Sequence, residues 1–520
     1  MTKKISCLSR LSTFLFLVLV MLYLMINTGL HSDDYNAINH SINGNYLPLT
    51  PENLGWMMVL LPTYLSYWLA YLFFEFDLPL GYDLIKCFSH LASVLLCCHF
   101  FKIFLPPKRA IAASIFFVLL PLHDAANYWF MVVPYIFWPS VIMFSFYLLS
   151  VNRFGLGFAS GLLGAFSGYF SPPYTFGLGV IWFIQKEYRK GFIFITPGIL
   201  YLAYYFFIKI NFSFAEKRIN SHLNISDFIK ALILQIIGTV DSFVGPSALI
   251  KIYYANLSIQ PISFLITLFI LIYALFYLHY KKVRNEPIRI PNLKLLLIGT
   301  IAVLLLSLVM FALTGLYIPS PFNLGNRSLV YGSFLVAVLI SLFHFNWKTL
   351  LFAWFIFVLP VFGLSDHWKG WNQNQLRMLQ NIQANENLKA IKKSDLLVVT
   401  GHTYSKLGPF SYIELFASPW VVSSIFKDFS AVAVTQTTSI GGNKITDEKF
   451  GASYLLNQYD KIYIYDSEVD SLVSGTREDI VTLIENRPME IRHWVQLAKG
   501  TFIESIILFL SPRLKYIFAR

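Results

Sequence analysis

The chain has 520 residues, of which 56% are hydrophobic and 13% charged, and its mean hydropathy is +0.59. A soluble globular chain carries about 25% charged residues, so the composition excludes an ordinary soluble protein. The net charge of +12 does not indicate binding to nucleic acid, because the Lys and Arg residues form short clusters between apolar runs rather than one basic face. Clusters of this kind are typical of membrane orientation.

The first apolar run extends from about residue 12 to 30 and follows the basic residues Lys3, Lys4 and Arg10. It lacks the small-x-small pattern of a signal-peptide cleavage site. The sequence therefore predicts an uncleaved first membrane helix with a cytoplasmic N-terminus. The four cysteines have neither the spacing of metal ligands nor that of a disulfide framework.

Further apolar runs recur through residue 365, and a helix of about 20 such residues crosses a hydrocarbon core. We therefore predict a polytopic α-helical membrane protein with about 11 transmembrane helices. After the first, the predicted spans are 84–105, 110–122, 133–150, 156–170, 172–185, 191–209, 260–279, 293–313, 327–344 and 349–364. Residues 55–75 are expected to lie in the interface or to re-enter, because counting them as a span would reverse the orientation of every later basic cluster.

Two intervals of the predicted membrane domain, residues 1–365, differ from simple spans. The short runs 156–170 and 172–185 are separated by a segment containing Gly168, Pro172 and Pro173, which predicts two half-helices around a broken turn. Besides the first external loop, 31–83, a second external segment is expected at 210–259. Its amphipathic run indicates a surface helix with Ser226 and Asp227 as an N-cap pair.

From Asp366 onward charged residues become frequent, and the segments 396–399 and 461–465 have the pattern of buried strands. Helical patterns occur at 373–391 and 475–486. The interval 366–500 therefore predicts a small external α/β domain, in which His402 is assigned a surface or packing role because no nucleophile elbow is present. Residues 501–520 are predicted to form an interfacial tail, because the apolar stretch 502–510 is too short to span a membrane.

Three positions are candidates for chemistry. Asp33 and Asp34 follow the first helix closely. Carboxylates at a membrane boundary must be solvated, be paired with a cation or have a functional role. Asp124 lies in a short loop between two apolar runs, where a helix N-cap is the alternative interpretation. Arg327 lies at the outer end of a late span, where its guanidinium suits a phosphate or simply reaches the interface.

These features together resemble the GT-C superfamily of membrane glycosyltransferases, which includes the protein O-mannosyltransferase and lipid A aminoarabinose transferase families. The resemblance rests on Asp33-Asp34 after the first helix, a long first external loop, a second acidic loop at His123-Asp124, and a soluble external C-terminal domain. It implies an inverting transferase that uses a polyprenyl-phosphate sugar. The acceptor would be an envelope glycan, a lipid such as lipopolysaccharide, or a protein, at the periplasmic or external face of a bacterial inner membrane.

The resemblance also implies roles for individual residues. Asp33 or Asp34 would be the general base, and Asp124 would orient the acceptor or help to hold a divalent ion. Arg327, with Lys217 or Arg218, would bind the donor phosphate, and the residues implied to orient the acceptor are His31, His123 and Tyr35. Mg²⁺ and Mn²⁺ are the candidate ions, with Asp34 and Asp124 as their ligands, but scattered carboxylates establish no metal site.

Two other functions compete with the transferase. An envelope polysaccharide polymerase or ligase also uses many helices and lipid-linked sugars, although an acidic pair after the first helix is not its mark. A transporter or flippase for lipid-linked sugars predicts ionisable residues in mid-helix and two similar halves, whereas the sequence has one broken pair and no internal symmetry.

Overall fold

The computed structural model describes residues 15–42, 61–211, 224–281, 292–314, 319–344, 346–429, 437–440, 445–446, 449–450, 454–486 and 490–510. The described residues form two compact units. The membrane unit lies within Met1–Gly29, Gly44–Pro321 and Gly325–His367, and the α/β unit lies within Leu30–Asn43, Phe322–Leu324 and Trp368–Arg520.

The α-helices are α1 (Leu15–Met25), α2 (Asp33–Ile42), α3 (Leu61–Glu75), α4 (Pro79–Phe101), α5 (Pro107–Leu119), α6 (Ala125–Tyr128), α7 (Pro134–Ser150), α8 (Phe154–Ala165), α9 (Pro172–Ile184), α10 (Tyr188–Asn211), α11 (Ile225–Val244), α12 (Pro246–Leu257), α13 (Pro261–Lys281), α14 (Leu293–Thr314), α15 (Val330–Ser341), α16 (Trp347–Ala353), α17 (Leu359–Ala384), α18 (Glu386–Lys389), α19 (Pro419–Ser424), α20 (Arg477–Glu485), α21 (Trp494–Leu497) and α22 (Phe502–Leu510). The strands are β1 (Leu396–Thr400), β2 (Tyr404–Leu407), β3 (Phe410–Glu414), β4 (Thr437–Ser439), β5 (Ile445–Thr446), β6 (Lys449–Phe450), β7 (Tyr454–Leu455), β8 (Ile462–Asp466) and β9 (Ser471–Gly475).

Within the described ranges, six helical segments are long and apolar enough to cross a membrane. They are Pro79–Phe101, Phe130–Ser150, Tyr188–Asn211, Ile225–Leu257, Leu293–Thr314 and Trp347–Ala384. The chain is therefore a largely helical membrane protein, as predicted, while the count of about 11 spans stays a prediction.

The interval 210–259, predicted as an external segment, contains α11 and α12, which together form one of these six membrane-length segments. Apolar side chains such as Ile229, Ile237 and Val240 are at least half exposed along α11, and such a surface is stable in contact with lipid. The predicted N-cap is wrong. Asn224 caps α11, because its side-chain oxygen accepts a hydrogen bond from the backbone N of Asp227 at 2.8 Å.

Residues 156–185 form the two short helices α8 and α9, which are interrupted at the predicted Gly/Pro segment. Pro172 begins α9, where a missing N–H costs no helical hydrogen bond. Gly177 lets α9 approach α14 closely, because a Cβ at this position would lie 2.6 Å from the backbone N of Val303. Small residues support close helix packing of this kind in membranes.

The α/β unit is built on a four-stranded sheet in the order β4-β1-β8-β9. Strand β1 is parallel to both β4 and β8, and β8 pairs with β9 as an antiparallel hairpin. Side chains of the sheet, including Leu396, Val398 and Ile464, pack with Ile480 of α20 in one hydrophobic core. The predicted α/β character of this part of the chain is confirmed.

The α/β unit also includes α2, which follows the first apolar helix in sequence. Tyr35 of α2 packs edge to face with Phe429 at a ring distance of 4.9 Å, and Asn39 donates a hydrogen bond to Asp428. The predicted boundaries instead grouped these residues with the membrane domain. Residues 30–42 are thus part of the α/β unit rather than a free loop.

Helix α22 ends the described part of the chain. Its apolar residues Phe502, Ile503 and Phe509 are exposed, whereas Leu508 packs against Val495 and Ala498. This exposed apolar face suits the interfacial attachment predicted for residues 501–520, of which 511–520 lie outside the described residues.

Candidate functional site

The acidic pair Asp33-Asp34 forms the first turn of α2. Carboxylates are favoured there because the N-terminal end of a helix carries the positive end of its dipole. Asp34 is 1% exposed, and its Oδ2 accepts a hydrogen bond from the backbone N of His31 at 2.8 Å. Asp34 therefore closes the turn that precedes the helix.

Asp33 has a different environment, because its side chain is half-buried and reaches the surface of the α/β unit. Its Oδ1 accepts a hydrogen bond from Nε1 of Trp420 at 2.8 Å, while the Trp420 side chain is 54% exposed. Burial, and in smaller part the negative charge of Asp33, raise the pKa of Glu414. Asp33 and Glu414 therefore interact electrostatically beside an exposed indole ring.

His31 and Tyr35 are both buried in the α/β unit. His31 Nδ1 lies 2.6 Å from Nε2 of Gln375, and its ring contacts Trp368 edge to face at 4.6 Å. Since the amide NH₂ of Gln375 donates, Nδ1 of His31 accepts and the ring proton lies on Nε2. Burial, and next the charge of Asp34, raise the pKa of Tyr35 well above its usual range, so its hydroxyl stays protonated.

Asp124 belongs to the membrane unit and is fully buried. Its Oδ1 accepts from Nζ of Lys251 at 2.6 Å and from Nδ2 of Asn326 at 2.7 Å. Asp124 does occupy the N-cap position of α6, but its side chain makes no capping hydrogen bond there. Asp124 neutralises a buried lysine, and this satisfies a charge that would otherwise be costly in lipid.

The remaining predicted residues of the membrane unit are His123 and Arg327. His123 Nδ1 lies 2.6 Å from Oγ of Ser333, and burial lowers the pKa of His123 to about 3, so the ring is neutral at physiological pH. The Arg327 guanidinium is half-buried and lies 5.2 Å above the ring of Trp129. Lys217 and Arg218 lie outside the described residues.

The structure thus groups Asp33, Asp34, His31 and Tyr35 in one unit, and Asp124, His123 and Arg327 in the other. Among the residues that the structure describes, no three His, Cys, Asp or Glu side chains come together as potential metal ligands. The suggestion that Asp34 and Asp124 hold an ion gains no support from their hydrogen bonds.

Sequence reasoning missed several residues of these networks. Lys251 lies within an apolar run, and an ionisable residue in such a run indicates a buried partner or a functional site. The same signal applies to Asp83 and Lys86, which form a buried ion pair of 2.8 Å in α4. No local pattern identifies Trp420 or Glu414, because their relation to Asp33 depends on folding across nearly the whole chain.

No family model matches this sequence, and neither a curated protein nor a solved structure is detectably similar to it. The resemblance to GT-C transferases therefore stays a prediction from the residues quoted above.

Proposed function

We propose that the protein is an integral membrane glycosyltransferase that moves a sugar from a polyprenyl-phosphate donor to an acceptor hydroxyl. The observation that carries this proposal is the half-buried carboxylate of Asp33, held by the indole N–H of an exposed tryptophan, Trp420. A general base must accept a proton from the acceptor hydroxyl, and the carboxylate of Asp33 is only half-buried, so an acceptor can reach it. The exposed indole offers the apolar surface on which a sugar ring stacks.

In the proposed reaction, the acceptor oxygen attacks the anomeric carbon of the donor and gives its proton to Asp33. The bond between the anomeric carbon and the phosphate oxygen breaks, and the polyprenyl phosphate leaves on the opposite face with inversion. Asp33 then returns the proton to water. Membrane-length helices suit a donor that is itself a lipid.

The negative charge on the leaving phosphate is stabilised by a nearby cation and does not need a proton donor. Arg327 is the proposed donor contact, because a guanidinium matches phosphate oxygens and this one is only half-buried. Asp34 has a structural role in the proposal, since it supports the turn before α2. The external location of the reaction, the cytoplasmic N-terminus and the count of about 11 spans belong to the same proposal.

Replacing Asp33 tests the proposal directly. Asp33→Asn keeps the hydrogen bond to Trp420 but removes the base, so we expect transfer to fall by about 10²–10⁴-fold. The measurement is mass spectrometry of envelope glycans from cells that hold equal membrane levels of each variant. Loss of one sugar-sized mass identifies the transferred sugar and the acceptor.

Asp227→Asn is the matched control, because Asp227 is an exposed carboxylate paired with Lys230. Glycans unchanged in both variants would contradict the proposal. A shift in glycan chain length, with every sugar still present, would favour the polymerase or ligase instead.

A further inference from the structure

The carboxyl ends of the parallel strands β1 and β8 meet at one edge of the sheet. Gly401 follows β1 with φ +75°, and a Cβ there would lie 2.7 Å from Oδ1 of Asp466. The backbone N of Ser467 donates to the Thr400 carbonyl at 3.1 Å. The two turns after these strands are therefore packed together, and only glycine fits at the first position.

The chain leaves β1 toward β4 on one side of the sheet and leaves β8 toward β9 on the other side. Ligands of open α/β sheets bind outside the carboxyl ends of the parallel strands.

Three polar atoms beside this edge have no hydrogen-bond partner among the residues that the structure describes. They are Nε1 of Trp371, Oε1 of Gln375 and Nδ1 of His402. Trp371 is 6% exposed and Gln375 is 0% exposed. Native structures seldom leave such atoms unpaired, so these three atoms are candidates for hydrogen bonds to a ligand.

The three atoms belong to one region. Trp371 and Gln375 are four residues apart on α17 and share a face of that helix. The rings of Trp371 and His402 lie 6.0 Å apart. His402 itself has φ +23°, which a residue with a side chain rarely adopts. The backbone thus holds the imidazole beside the indole.

We propose that this edge binds a neutral saccharide and is the acceptor-glycan site of the transferase, an inference that rests on the proposed function. The indole N–H donates, the Gln375 carbonyl accepts and the imidazole does either. Hydroxyl groups both donate and accept, so a sugar matches this set. Asp466 and Glu468 at the same edge disfavour an anionic ligand.

The site is linked to the acidic motif by a single side chain. Gln375 presents its carbonyl to the saccharide site and holds His31 with its amide group. His31 in turn donates its backbone N–H to Asp34, the neighbour of Asp33. A saccharide bound to Gln375 is therefore connected, through His31, to the turn that positions the proposed base.

Binding is tested with the full chain in lipid nanodiscs by NMR saturation transfer. The probes are the methyl glycosides of glucose, galactose, mannose and N-acetylglucosamine. We expect saturable binding of at least one probe. His402→Phe and Trp371→Phe keep an aromatic ring and remove one hydrogen bond, so each weakens binding by about two- to tenfold.

Trp494→Phe is the matched control, because Nε1 of Trp494 is also buried without a partner among the described residues. All three substitutions remove an unpaired polar atom, and Trp371→Phe and Trp494→Phe remove the same side-chain volume, so the control matches the cost of the smaller ring. Only the two variants at the proposed site weaken saccharide binding. No binding of any probe to the wild-type chain, or equal binding by the site variants, would overturn the proposal.

The two proposals fail in different ways. Asp33→Asn retains saccharide binding if the site is correct, whatever happens to transfer. Saccharide binding to a wild-type chain that transfers no sugar would refute the transferase and leave the site in place. Transfer with an unchanged acceptor KM in His402→Phe would refute the site and leave the transferase in place.

Discussion

At the scale of single residues, the membrane unit contains buried ion pairs, among them Lys86–Asp83 and Lys251–Asp124. Lys251 is 0% exposed, and besides Asp124 its Nζ reaches the carbonyls of Leu122 at 3.3 Å and Pro321 at 2.5 Å. This one ammonium joins α12 to two separate loops. Removing one partner of such a pair leaves an uncompensated charge, which costs more than the pair itself contributes.

Lys251→Met should therefore destabilise the protein by about 3–5 kcal/mol, because it leaves the Asp124 carboxylate buried without its cation. The double variant Lys251→Met/Asp124→Asn should recover most of this loss. Thermal unfolding of the detergent-purified chain measures both effects.

Lys230→Met provides the comparison, because its partner Asp227 is exposed and such pairs contribute only about 0–1 kcal/mol. Equal losses in Lys251→Met and Lys230→Met would mean that the buried pair has no special importance.

Residue-level predictions succeeded where the signal is local. The position of Asp33 and Asp34 after the first helix was readable from the sequence, as was the second acidic loop. The partner of Asp124 was not, since Lys251 lies 127 residues away. A sequence indicates that a buried charge needs a partner, but the partner's identity depends on the tertiary fold.

At the scale of elements, periodicity and Gly/Pro content predicted helix and strand types well. The break between α8 and α9 and the strands β1 and β8 lie at or near the expected positions. The cap of α11 was assigned two residues too late, because Asn, Ser and Asp all suit an N-cap and only the geometry selects Asn224. The packing of α2 with α19 was not predictable from either segment alone.

The close packing of α9 on α14 makes the protein's stability sensitive to the size of residue 177. Gly177→Ala should destabilise the protein by about 1–3 kcal/mol, because the new Cβ overlaps the backbone of α14. A backbone, unlike a side chain, cannot relieve the overlap by changing rotamer. The shift in thermal unfolding midpoint measures the effect.

Gly155→Ala is the control, because a Cβ at this position meets nothing within 4 Å. Alanine has the higher helix propensity, so this change should be neutral or stabilise by up to about 1 kcal/mol. Similar destabilisation by both changes would indicate that space at Gly177 is not the limiting factor.

At the scale of the whole molecule, the composition of the α/β unit constrains the membrane topology. Residues 30–42 and the described residues from 368 onward fold into one unit, so the proposed topology must place them on the same side of the membrane. The chain between them must then cross the membrane an even number of times. The ten spans predicted between these segments satisfy this rule. Counting either 55–75 or Ile225–Leu257 as an eleventh span would break it, and counting both would restore it.

Cysteine labelling tests the topology in intact cells with a membrane-impermeant reagent. In a Cys7→Ser background, Ile42→Cys and Glu478→Cys should both react, because the two positions are exposed on the same unit. Arg153→Cys should be protected, because its loop is predicted to be cytoplasmic. Opposite labelling of the first two positions would contradict the even count.

The participation of α2 in the C-terminal fold also has a consequence for biosynthesis. A ten-residue helix is marginal in water on its own, and its partners Trp420 and Asp428 lie 387 and 389 residues after the α2 residues that they contact. At about 5–20 residues per second, translation of that interval takes roughly 20–80 s. During this time α2 has no native partner in the chain. The segments between α2 and these partners, including the membrane-length helices, are therefore synthesised before the α/β unit can be completed.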